Sequence, residues 1–92
     1  MALVIYPNGN ITELRLNKNQ HFELKTIFHL LECSMVQAIP LKSGRIMWID
    51  EEGKFKPHRI NPDATKMLHY AGGMLDDYIA GTAFITEESE IE

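Results

Sequence analysis

Polar and apolar residues alternate in Ile11-Thr12-Glu13-Leu14-Arg15-Leu16, so that Thr12, Leu14 and Leu16 share one face and Glu13 and Arg15 the other. That period of two predicts a strand with one wet side. Upstream, the apolar run Ala2 to Tyr6 stops at Pro7-Asn8-Gly9-Asn10, residues that accept the positive φ of a tight turn, and the two runs together predict a β-hairpin. Asn17-Lys18-Asn19 ends the hairpin and offers a helix cap. The period then lengthens: Leu24, Ile27, Phe28 and Leu31 recur every three or four residues, with Glu23, Lys25 and Glu32 off the stripe. This predicts a helix near 20–32 lying on a sheet, with Phe22 and Phe28 in the core.

Residues 35–41 and 45–50 are rich in strand formers on either side of Lys42-Ser43-Gly44, which predicts a second hairpin. Pro40 lacks an amide donor and belongs at a strand end or a sheet edge. Asp50-Glu51-Glu52-Gly53 closes the strand, and residues 54–60, aperiodic and broken by Pro57, read as a surface loop. Asn61-Pro62-Asp63 starts a second helix: Asn61 accepts a first-turn amide, proline is preset for the first helical position, and Asp63 complements the positive end. Ala64, Met67, Leu68 and Ala71 form its apolar stripe and Gly72-Gly73 stops it. The last strand, Ile79 to Thr86, carries the small Gly81 and Ala83, which suit close packing by a helix or another chain. The order ββαββαβ predicts an α+β fold, a single mixed β-sheet of about five strands with two covering helices. One domain is expected over 1–86, followed by an acidic C-terminal tail at 87–92.

The chain has 92 residues, 45% of them apolar and 24% charged, as expected of one folded domain. Its apolar runs reach only five or six residues, so no membrane span is expected. The first residues carry no basic signal-like segment, and the single cysteine, Cys33, can form no internal disulfide. Both features fit a reducing cytoplasm. The net charge of −4 is concentrated in Glu87, Glu88, Glu90 and Glu92; without them nine acids balance nine cations. A neutral body argues against duplex nucleic acid as a partner. Six of the cations, Lys42, Arg45, Lys54, Lys56, Arg59 and Lys66, fall within 42–66 and allow a local basic face.

Residues suited to catalysis or metal binding are present but poorly spaced. His29 and Cys33 would share a helical face, yet a structural metal site needs four ligands, and no orienting group or oxyanion donor accompanies the thiol. Asp76-Asp77 and Asp50 to Glu52 match no calcium loop, and Gly72-Gly73 lacks the residues of a phosphate loop. No catalytic residue, metal or cofactor is therefore expected. The basic loop has two readings. Lys54, Lys56, His58 and Arg59 run into the positive end of the second helix, where a phosphate or carboxylate could bind; alternatively they are solvated and balance Asp50 to Glu52. Trp48 is either buried or stacked on a base.

Four segments carry a resemblance: Ala2 to Asn10, Met47 to Lys54, Asn61-Pro62-Asp63-Ala64-Thr65, and Asp77 to Ile85, the last including Gly81-Thr82-Ala83. In these the chain resembles a family of short proteins from phages and mobile elements catalogued as domain of unknown function 3846. The resemblance implies a phage accessory protein acting in the cytoplasm of a bacterial host, and it supplies no catalytic residues to carry over. Such proteins often act against host defence, which leads to the expectation of a non-enzymatic, homo-oligomeric protein that sequesters a nucleotide-like signal. Arg45, Lys54, Lys56 and Arg59 would contact phosphates, Trp48 or Tyr78 would stack on a base, and Asn61 and Thr65 would supply directional hydrogen bonds. Asn61 and Thr65 also have competing roles within the first helical turn. The alternative is a protein-interaction module that inhibits a host defence protein through a sheet edge or the acidic end.

Overall fold

The computed structural model describes residues 1–16 and 20–91. The expected cap at Asn17 to Asn19, and Glu92 of the acidic end, lie outside the described residues. The strands are β1 (Ala2–Ile5), β2 (Ile11–Leu14), β3 (Val36–Pro40), β4 (Arg45–Asp50) and β5 (Ala83–Glu87). The helices are α1 (Leu24–Leu31) and α2 (Pro62–Tyr70), and single 3₁₀ turns occupy Lys42–Gly44, Gly53–Phe55 and Glu88–Glu90. The five strands form one sheet in the order β2-β1-β5-β4-β3.

Each face of this sheet carries one helix. Alternate residues of the strands supply two cores: Ile5, Met47, Ile49, Ala83 and Ile85 pack with Ala64 and Leu68 of α2. Ala2, Val4 and Phe84 pack with Phe22, Ile27 and Leu31 on the α1 side, where Phe22 and Phe84 meet edge to face at 5.0 Å. Central β5 is buried on both faces, which explains its run of small and apolar residues. Edge strand β2 keeps the wet side its alternation predicted, with Glu13 and Arg15 paired at 2.6 Å.

The sheet is antiparallel throughout, not mixed as the element order suggested. A helical crossover alone would return β5 parallel to β4. Here α2 runs back until Tyr70 lies beside Arg45 at the start of β4. Residues 71–80 then cross the face again, reaching Ile60 in a bridge at Ala80. This extra pass reverses the direction of entry. Gly81, at φ 92°, interrupts the long strand expected from Ile79, so β5 begins at Ala83. Helix α1 is also shorter than the stripe predicted, because the Phe22 amide donates to the Glu90 carbonyl at 2.7 Å and holds Phe22 in extended backbone. Leu24 consequently stays half exposed.

Residues 87–91 of the acidic end are folded into the domain instead of trailing from it as a tail. Glu87 closes β5, and the side chains of Glu87 and Glu90 cap each other's backbone amides. Glu90 is buried and accepts from the Met1 ammonium at 2.9 Å. Ile91 bridges to Phe22 and packs on the α1-side core, which anchors the segment, while Glu87 and Glu88 stay exposed. Among the described residues no helix is long and apolar enough to cross a membrane.

Candidate functional site

The basic loop is largely neutralised by acids that the fold brings to it. Lys56 pairs with Asp50 at 2.7 Å, and His58 Nε2 lies 3.5 Å from the same carboxylate, whose side chain is only 3% exposed. Burial raises the Asp50 pKa, but the Lys56 hydrogen bond, the Glu52 amide and His58 outweigh it and hold the carboxyl below its ordinary value. Asp50 in turn raises Lys56. Lys54 is bound by Asp77 and lies over the Tyr78 ring at 4.7 Å from its centroid. That hydrogen bond holds Asp77 low and Lys54 high. Arg59 stands apart in a cleft of about 320 Å³ with Tyr6, Glu32 and His58 among its walls.

The other sequence-predicted site residues separate further. Asn61 is fully buried: its Nδ2 donates to the carbonyls of Ile5 and Gly81, both at 2.9 Å, while Oδ1 accepts from the Ala64 amide at 3.1 Å. Thr65 Oγ1 accepts from the Ile79 amide at 2.9 Å. Both residues hold α2 in place: Asn61 is buried with Oδ1 and Nδ2 engaged by the fold, and Thr65 Oγ1 is used as an acceptor within it. Trp48 faces the α1 side, half-buried, and donates from Nε1 to Thr86 Oγ1 at 3.1 Å. It thus lies across the sheet from Tyr78, which lines a cavity with Ile39, Ile49 and Leu68 on the α2 side. Arg45 begins β4 whereas the loop follows its end, so roughly 16 Å of strand separates them at about 3.3 Å per residue. The eight residues form no single site. The pairing acids Asp50 and Asp77 stand 6 and 23 residues from their lysines, so the sequence run counted cations that the fold cancels.

Burial raises the pKa of the Cys33 thiol, and the neighbouring Asp50 charge adds to the effect, opposing thiolate formation. Among the described residues no group of three or more His, Cys, Asp or Glu side chains is placed to hold a metal ion.

Only Arg45 leads to a cationic groove. It opens between the turn after β3 and the last turns of α2, has a volume of about 430 Å³, and is lined by Leu41, Lys42, Arg45, Lys66, Met67, Tyr70 and Ala71. Alternation along β4 turns Arg45 to the same face as Met47 and Ile49, the face α2 covers. Lys66 and Tyr70, four residues apart on α2, project side by side. Leu41 and Met67 form an apolar floor continuous with the core. Lys42 Nζ crosses the groove to lie 4.7 Å from the Tyr70 ring centroid.

Among the described residues no carboxylate lines this groove. Arg45 is opposite Glu87 in the ladder, yet the Glu87 carboxylate caps the Glu90 amide and lies 3.6 Å from the Met1 ammonium. Among the described residues, Lys42, Arg45 and Lys66 have no acidic partner within 4 Å. Three uncompensated cations around an apolar floor can hold an anion that also carries an apolar or aromatic part, with Arg45 able to grip oxygens in a bidentate manner. Sequence reading counted Lys42 and Lys66 among the cations but chose neither for the site, and it missed Tyr70. The signal available was the four-residue spacing of Lys66 and Tyr70.

The chain belongs to the family described as Domain of unknown function (DUF3846), which matches residues 1–92, its whole length. No curated protein and no solved structure matches it.

Proposed function

We propose that this protein binds, without chemical turnover, a small anionic ligand of the nucleotide type in the groove between the β3–β4 turn and α2. In a phage or mobile element such capture would act as counter-defence by withholding a nucleotide signal from a host sensor. The observation that carries the reading is the set of three cations, Lys42, Arg45 and Lys66, left without acids around the floor of Leu41 and Met67. The volume of about 430 Å³ falls in the range of small-molecule sites. The lining residues include no carboxylate, histidine or thiol, which favours capture over cleavage. The groove is open on its solvent side, and a second copy facing it would enclose the ligand more fully.

Equilibrium dialysis with ADP tests the reading. Binding should weaken at least tenfold in Arg45→Glu, with circular dichroism checking that the variant, changed at a half-buried position at the start of β4, keeps its fold. Ligand recovered after denaturing the complex should be intact. Equal affinity in the variant, or recovery of hydrolysed nucleotide, would overturn it.

A further inference from the structure

We infer that Tyr70 is the stacking platform for the ligand's base and that Lys42 is a latch the base displaces; this rests on the groove reading above. Tyr70 is 75% exposed at the end of α2, and the Lys42 ammonium lies over its ring. The chain contains a second lysine over a tyrosine at the same 4.7 Å, Lys54 over Tyr78, and the two differ in one respect. Lys54 is anchored by Asp77. Among the described residues Lys42 has no carboxylate within 4 Å, and its ammonium lies over the ring. An incoming base can therefore lift Lys42 from Tyr70, whereas at Tyr78 it would have to break an ion pair as well.

The balance of forces favours the exchange. A cation over an exposed ring contributes a factor of about two to five in an equilibrium. A base stacked on an aromatic side chain contributes about five- to a hundredfold. The released ammonium does not return to water unpartnered, because the ligand brings phosphate oxygens to the same groove. Lys66 lies one helical turn before Tyr70, about 6 Å along the axis. That offset suits a nucleotide, whose sugar separates the base from the phosphates. The recognised class is thus a phosphorylated nucleoside, with a base requirement that charge attraction alone would not impose.

The test compares ADP with inorganic pyrophosphate, which carries the charge and lacks the base, using wild type, Tyr70→Ala, Tyr70→Phe and Tyr78→Ala. Wild type should prefer ADP at least fivefold. Tyr70→Ala should reduce ADP affinity to that of pyrophosphate and leave pyrophosphate unaffected, Tyr70→Phe should restore the preference, and Tyr78→Ala should behave as wild type. Fluorescence of etheno-ADP should be quenched on binding to wild type and Tyr70→Phe but not to Tyr70→Ala. Equal wild-type affinity for ADP and pyrophosphate overturns the platform while leaving the anion groove standing, and loss of preference in Tyr78→Ala assigns the base to the other tyrosine. If neither compound binds wild type, the groove reading itself fails.

Discussion

Asn61→Ser and Asn61→Ala separate the two jobs of the amide that joins α2 to the sheet. Its Oδ1 caps the helix by accepting from the Ala64 amide, while Nδ2 ties the carbonyls of Ile5 and Gly81 together in a fully buried position. Serine keeps a cap acceptor and removes the tie. Loss of a cap costs typically about 1 kcal/mol, and leaving a buried carbonyl without a donor costs about 1–3 kcal/mol. Ile5 O can still share a ladder donor from β5, so the full penalty is counted once, for Gly81 O. Asn61→Ser should then destabilise by about 1–3 kcal/mol and Asn61→Ala by about 2–4 kcal/mol. Against the roughly 5–14 kcal/mol typical of a 92-residue domain, either loss is large. Urea unfolding followed through Trp48, the only tryptophan, measures both changes. The m-value should stay constant, because native and unfolded surface areas hardly change. A cost for Asn61→Ser below about 1 kcal/mol would refute the tie, and equal costs for the two variants would refute the cap.

Asp50 governs part of the acid limb. Its folded pKa lies below the ordinary value, so its stabilising contribution is fully present above the unfolded pKa and disappears as pH falls through the folded one. Asp50→Asn should therefore be less stable than wild type at neutral pH and flatter in a stability profile from about pH 4 downwards, as measured by thermal melts across that range. Gly81→Ala places a β-carbon at φ 92° and 3.2 Å from the His58 ring, and it should cost about 1–3 kcal/mol, visible as a lower Tm. Lys54→Ala and Arg59→Glu, which a phosphate-binding loop would not tolerate, should leave ADP affinity within about twofold by dialysis. The Lys54 pair is exposed and is worth at most about 1 kcal/mol to stability.

What the sequence determined by itself was local. Asn8-Gly9 makes its turn, with Gly9 at φ 91° and the Asn10 amide donating to Asn8 Oδ1 at 2.9 Å. Asn61-Pro62 starts α2, and Gly72 stops it at φ 100°. Strand and helix periods located all five strands and both helices, because each depends on residues within one or two turns of each other. Tertiary structure decided which way β5 runs, since that depends on residues 71–80 crossing a face the chain had already covered. It also decided which cations remain unbalanced. Coulomb pairing depends on distance in space and not along the chain, so Lys54 and Lys56 lost their apparent freedom to Asp77 and Asp50. Arg45 was left without its cross-strand acid because Glu87 turns toward the Met1 ammonium. The groove joining Arg45, Lys66 and Tyr70 exists only because α2 lies antiparallel over β4, a packing relation that no window of sequence contains.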